Sequence, residues 1–160
     1  MKSHSVLLLL LPLAFILSQC VSGRMAKKNE KTLRLWFEEG WNHNRNEELI
    51  PLVFHPDWND GNPLRPDQTE GLEGMYQLVQ YYRKAFPDAK FTITHLFADA
   101  THAAIRYEVS ATHFGDAFGI PATGKHFTST GIVIYEMEDG KIKRSWQELD
   151  LMGIIGQLKN

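Results

Sequence analysis

Helical periodicity in the first half of the chain and strand alternation in the second predict an α+β protein with an antiparallel sheet. Apolar residues recur at helical spacing in Leu33, Trp36, Phe37 and Trp41, and again in Leu72, Met75, Tyr76, Val79 and Phe86. From Lys90 onward the spacing changes to alternation, as in Ile105, Tyr107, Val109 and Ala111 against Arg106, Glu108, Ser110 and Thr112. Asp139-Gly140 then joins the last two alternating runs with the residues a tight hairpin prefers, because glycine tolerates positive φ.

The chain of 160 residues predicts one domain preceded by a processed leader. Residues 1–23 combine Lys2, an apolar run from Val6 to Leu17 and the small residues Val21-Ser22-Gly23. The run is too short to span a bilayer as a helix and suits a secretory signal cleaved after Gly23. Cys20 closes a Leu-Ser-Gln-Cys sequence that also resembles a lipoprotein signal, although Gln19 is bulkier than the residue usually found there. The expected location is therefore outside the cytoplasm, periplasmic or secreted, with membrane anchoring through Cys20 as the alternative. Cys20 is the single cysteine, so the processed domain has neither a disulfide nor a thiol nucleophile. A net charge of −2 with scattered basic residues argues against a nucleic-acid partner.

Residues 24–29 read as a polar tether, and the domain as residues 30–160. The first helix runs from Thr32 until Gly40 and the Asn-His-Asn-Arg-Asn stretch close it. Asn46 is placed to cap a short second helix that Pro51 distorts. Residues 55–71, rich in proline, glycine, asparagine and aspartate, read as a long loop, and loops of that length are usually functional. A third helix starts at a Thr69 cap and stops at Pro87, and four strands follow. Asp150 is positioned to cap a terminal turn.

Several stretches carry a resemblance: Phe-Glu-Glu-Gly-Trp-Asn at 37–42, Ala-Phe-Pro-Asp at 85–88, the segment from Thr112 to Lys125, Glu-Asp-Gly-Lys-Ile at 138–142, and Glu148 to Leu158. The most specific is His113 to Lys125, with its His-x-Gly, Gly-x-Pro and Thr-Gly-Lys spacings. Through these, residues 30–158 resemble the SnoaL-like polyketide cyclases of the nuclear transport factor 2-like superfamily, which also holds the ketosteroid isomerases. The resemblance implies a cone-shaped curved sheet closed by about three helices around an apolar pocket. It implies homodimers joined through the outer sheet face. It also implies small, flat hydrophobic substrates handled by an aspartate or histidine, with no cofactor and no metal.

The resemblance also marks a departure. The position of the cyclase aspartate, directly after Trp146, is Gln147, and the supporting histidine aligns with Val133. Glutamine exchanges hydrogen bonds but cannot serve as a general base. The candidates for proton transfer are then His113, which shares the apolar parity of its strand, and Asp60 in the long loop. The competing readings are a buried structural histidine and a turn aspartate. Gln147, Trp58, Trp36, Arg106 and Phe114 are candidate substrate contacts; Arg106 has Glu108 as an alternative partner, and the aromatics have the core. His113, Asp116 and His126 lack metal-ligand spacing, and His126 reads as a strand-end residue. Two functions stay open: cofactor-independent acid–base chemistry on a small hydrophobic carbonyl compound, and a non-catalytic binding or interaction module of the same fold.

Overall fold

The computed structural model describes residues 7–63 and 68–159, with side chains from residue 21 onward. Lys2, Val6 and the Cys20 side chain, which bear on the leader and anchor expectations, lie outside the described set. Helix α1 (Leu7–Arg34) widens into a π turn over Leu35–Trp41 and is followed by α2 (Asn46–Val53), β1 (Phe54–Asp60) and α3 (Gly71–Ala85). The second half holds β2 (Lys90–Ala98), β3 (His102–Thr112), β4 (His126–Glu138), β5 (Lys141–Leu149) and α4 (Leu151–Lys159). The strands form one curved sheet in the order β1-β5-β4-β3-β2, antiparallel except where β1 lies parallel to β5.

The α+β order and the β2–β5 strands match the expectation, and the turn at Asp139-Gly140 takes positive φ at both residues. The fifth strand does not match. Residues 55–60 read as loop because Pro56, Asp57 and Asn59 disfavour a strand, yet with Phe54 they form the sheet's edge. An edge strand tolerates proline, since one side of its backbone needs no partner. β1 pairs with β5 only at Phe54 and then at Asn59 and Asp60, with a register irregularity between them.

The polar stretch expected as a tether is helical and docked. Asn29 is fully buried and donates to the carbonyls of Asp99 (2.8 Å) and Ala100 (3.3 Å). Lys28 and Thr32 donate to the carbonyls of Asp139 and Gly140 at 2.6 and 2.8 Å. These polar residues meet the exposed carbonyls of the two strand turns rather than water, satisfying acceptors the sheet leaves open. Gly23 lies on α1 upstream of these contacts.

Two expected caps go elsewhere. Asn46 opens α2 without a capping bond, and its buried Oδ1 accepts instead from Arg83 Nε and Nη2 at 3.0 and 2.6 Å. Thr69 donates to Gln77 Oε1 at 3.2 Å, and α3 begins after Glu70. The Asp150 cap forms as expected, its Oδ1 accepting from the Gly153 N–H at 2.9 Å, and it starts a fourth helix where a terminal turn was expected. Core packing lies between the helices and the inner sheet face, where Ala103, Ile105, Tyr107, Val109 and Ala111 alternate inward along β3. On the outer face Ile132 and Ile134 are each half exposed.

Candidate functional site

The inner face lines a half-open cavity of about 120 Å³ for water-sized molecules. Its helical side is aromatic: Trp36, Phe37 and Trp41 come from the π turn and pack edge-on or tilted against each other's neighbours Phe54, Phe91 and Tyr107. Such edge-to-face contacts fix ring positions beyond what burial alone does. The sheet side supplies the polar groups Asp60, Tyr107, Tyr135, Ser145 and Gln147.

A bulge sets that polar row. β4 and β5 pair Met137 with Ile142 but Glu136 with Arg144, so Lys143 is an extra residue in β5. The insertion reverses the strand's parity, and Ser145 and Gln147 face inward where uninterrupted alternation from Ile142 would turn them out. Glu148 accordingly points to the exposed side. Ser145 Oγ accepts from the indole N–H of buried Trp58 at 3.0 Å, which locks that ring against β5.

Gln147 Nε2 donates to the Tyr107 hydroxyl oxygen at 2.7 Å. Gln147 Oε1 accepts from no described residue. Gly131 makes this bond possible: it sits opposite Tyr107 in the β3–β4 ladder, and a Cβ there would lie 2.3 Å from the Tyr107 hydroxyl. The phenol thus crosses the strand over a bare backbone to reach β5. Burial, with the nearby Tyr82 adding to it and the Gln147 bond opposing it, pushes the Tyr107 pKa well above the usual phenol range. Tyr107 therefore stays protonated near neutral pH, and its O–H can donate to whatever enters the cavity. Tyr135, also buried and pushed upward by burial, makes no hydrogen bond with a described residue.

Asp60 ends β1 at the cavity. Its Oδ2 accepts from Gln68 Nε2 at 2.8 Å and its Oδ1 from the Asn62 N–H at 3.2 Å; no cation pairs with it among the described residues. Asn62 continues the sheet with its side chain, donating Nδ2 to the Gln147 carbonyl and accepting on Oδ1 from the Gln147 N–H, both at 2.8 Å. One asparagine thus ties the Asp60 turn to the backbone of Gln147. An ionised carboxylate has room for about four hydrogen bonds, so Asp60 keeps acceptor capacity toward the cavity.

Of the seven residues singled out in the sequence, Trp36, Trp58, Asp60 and Gln147 line the cavity; His113, Arg106 and Phe114 do not. His113 does share the inward parity of β3 but falls beyond the strand's end, fully buried against Phe86, with ring centroids 5.6 Å apart. Its Nδ1 meets Thr123 Oγ1 at 3.1 Å, its N–H and carbonyl bond Lys125 and Gly124, and Nε2 has no partner among the described residues. It staples the β3–β4 loop. Arg106 lies on the opposite parity, where Nη1 donates to Thr94 Oγ1 at 3.0 Å and stands 3.9 Å from Glu108. Phe114 is 58% exposed. His126 opens β4 on the exposed side. Among the described residues no three histidine, cysteine or carboxylate side chains converge as a metal site would require.

The residues that sequence reasoning missed are Tyr107, Tyr135, Asn62 and Phe118. Tyr107 carried a usable signal, since it alternates with the apolar β3 residues and β4 has a glycine at the matching depth. Phe118 did not. It forms, with Gly119, a two-residue turn closed by the Ala117–Ile120 pair, at φ of 54° and 71°. Positive φ at both positions is the type I′ pattern, which asparagine and glycine normally fill. A phenylalanine there costs about 1–2 kcal/mol of backbone strain.

A curved sheet capped by helices over one aromatic, single-domain cavity defines the nuclear transport factor 2-like class. The family model for SnoaL-like polyketide cyclases matches residues 31–158. The chain belongs to the SnoaL-like polyketide cyclase family. It is 24% identical over 124 residues to the aklanonic acid methyl ester cyclase DauD of Streptomyces sp. strain C5, covering 75% of each chain. Among solved structures it is similar to TsrD from Streptomyces laurentii, at 26% identity and a TM-score of 0.68 over 84% of this chain and 95% of that one. A SnoaL-like polyketide cyclase from Agrobacterium tumefaciens strain C58 shares the fold at 24% identity and a TM-score of 0.69, over 81% of this chain and 97% of that one.

Proposed function

We propose that the chain takes a small, flat, apolar carbonyl compound into the cone and moves a proton on it without a cofactor. The observation that carries this reading is the placement of one carboxylate, Asp60, and one hydroxyl held in position by Gln147, that of Tyr107, on the polar side of an otherwise aromatic cavity. The carbonyl oxygen accepts from the Tyr107 O–H. The Asp60 carboxylate then removes a proton from the carbon beside that carbonyl, and the enolate oxygen keeps the Tyr107 bond as charge grows on it. The low dielectric of the aromatic wall strengthens that bond in the transition state. Asp60 returns the proton at the end of the cycle, so nothing is oxidised or consumed.

This assignment moves the base from the family's aspartate position to Asp60, since Gln147 cannot take a proton. Gln147 instead holds Tyr107 from behind. The test is deuterium exchange: NMR in D₂O should show enzyme-dependent loss of the α-proton signal of an aryl ketone, cut by about 10²–10⁴-fold in Asp60→Asn. Saturable ketone binding with no exchange above the Asp60→Asn level would favour the second reading, a binding module. Val133 and Gln147 support that second reading, because they face each other in the β4–β5 ladder where the resemblance places the cyclase histidine and aspartate.

We read the apolar leader as an export signal and the half-exposed Ile132 and Ile134 as part of a homodimer face. Among the described residues no helix is long and apolar enough to cross a membrane. Lys28, Asn29 and Thr32 lie downstream of Gly23, so cleavage there would leave their contacts with the sheet in place. The mass of the mature N-terminus distinguishes cleavage after Gly23 from lipidation at Cys20, and sedimentation of the purified protein tests the dimer.

A further inference from the structure

We propose that Phe118 is the specificity-determining residue of the cavity: its ring, held inward by a strained turn, limits the ligand to a single aromatic ring. This rests on the cavity being the ligand site, as proposed above. The volume argues first. A cavity of about 120 Å³ is close to the roughly 150 Å³ apolar space that admits one benzene. A second fused ring has either to displace part of the wall or to extend out of the cavity's open side.

The wall that yields is the one built around Phe118. The cavity's other aromatics stand on helices and strands or, for Phe86, directly at the end of α3, whereas Phe118 is at the tip of the β3–β4 loop. Its ring stacks on Phe86 at 5.8 Å and 27° and lies 6.4 Å from Tyr82, both of which line the cavity. Its own N–H donates to the Tyr81 hydroxyl at 3.3 Å, which ties the turn to α3. The base of the loop is fixed: the Phe114 and Gly115 N–H groups both bond the Ala85 carbonyl, and a Cβ at Gly115 would strike the Lys84 carbonyl at 2.6 Å. Nothing crowds the neighbouring Gly119. A bulky aromatic at a position suited to asparagine or glycine is a strained choice, and such strain is typically found where a side chain must be aimed. Here it is aimed at the cavity, and the ring is what the strain places.

The test compares acetophenone with 2-acetylnaphthalene, one ring against two, by calorimetric titration. Phe118→Gly removes the ring and suits the positive φ, and Phe118→Asn removes the ring while keeping a side chain at ease in that turn. In both variants the ratio of the two dissociation constants should shift at least tenfold toward the two-ring ketone. Equal weakening of both ligands in both variants would overturn the proposal, because a structural role alone moves the two affinities together. A wild-type protein that already prefers the two-ring ketone, with the ratio unchanged within threefold in the variants, overturns it while leaving the cavity as the ligand site. If neither ketone binds any of the three proteins, the cavity reading fails and this proposal falls with it.

Discussion

The loop joining β3 to β4 and the polar wall opposite it solve different problems. The loop packs three positive-φ residues, Phe118, Gly119 and Gly124, between two strands, and it buries a histidine that reaches no cavity. The wall of Asp60, Tyr107 and Gln147 has ordinary strand backbone throughout and sets its chemistry by parity, one bulge and one glycine. Backbone conformation of the first kind tolerates few residue types, so it leaves a recognisable sequence. Side-chain placement of the second kind needs only the right residue at the right depth, and leaves almost none. The most distinctive stretch of the chain therefore shapes the cavity, and the least distinctive supplies its polar groups.

The strongest way to break this contrast is to exchange the consequences. Asp60→Asn should remove nearly all proton exchange while changing urea stability by no more than about 1 kcal/mol, since the asparagine oxygen can still accept from the Asn62 N–H and only the bond from Gln68 is lost. An Asp60→Asn protein that keeps full exchange would return the chemistry to some other group and void the division. Tyr107→Phe comes next, with an expected 10²–10³-fold loss in exchange rate from one missing donor at the carbonyl oxygen. It also strands Gln147 Nε2, at a stability cost of about 1 kcal/mol. Tyr107→Phe/Gln147→Leu should recover part of that stability and none of the rate, and full additivity would show that the two side chains are not coupled.

The loop should respond in the opposite sense. His113→Ala removes a fully buried ring from between Phe86 and Thr123 and should cost about 2–4 kcal/mol by urea denaturation. His113→Phe should cost less, because the packing against Phe86 is kept and only the Thr123 bond is lost. In either variant the exchange rate per folded molecule should stay within about threefold of wild type. A rate collapse with stability intact would restore the histidine to the catalytic role its sequence position suggested.

How much of this was readable beforehand follows the same division. The helix-then-strand order, β2 to β5, the Asp139-Gly140 turn and the Asp150 cap depend on local pattern, and local pattern was sufficient. β1 was not legible because its backbone is held by β5, some ninety residues away, against the preferences of Pro56, Asp57 and Asn59. The docking of Lys28 and Asn29 was hidden for a similar reason: polar residues look like tether until the carbonyls they meet are in place. Asp60, singled out by loop composition, and Gln147, by its departure from the family, both line the cavity. Tyr107 was passed over because an inward tyrosine among aliphatics reads as core, and only the register with Gly131 shows its hydroxyl reaching across. His113 does not line the cavity because parity gives the side of a sheet but not the distance along it.

The smallest expected effect separates the wall's two tyrosines. Burial raises the pKa of both Tyr107 and Tyr135, so in the folded protein each keeps its proton above the pH at which an unfolded tyrosine, near 10, releases it. Above that pH the unfolded chain binds fewer protons than the folded one, and stability must fall as pH rises. Each group contributes at most about 1.4 kcal/mol per pH unit beyond about pH 10, and nothing at neutral pH. Urea titrations between pH 7 and 11 should then show a steeper loss above pH 10 in wild type than in Tyr107→Phe or Tyr135→Phe. Exchange measured at pH 7 divides the pair: Tyr135→Phe should leave it nearly unchanged and Tyr107→Phe should not. Equal rate losses in both would mean that the hydroxyl held by Gln147 has no privilege over the one that bonds to no described residue, and the polar wall would lose its assigned donor.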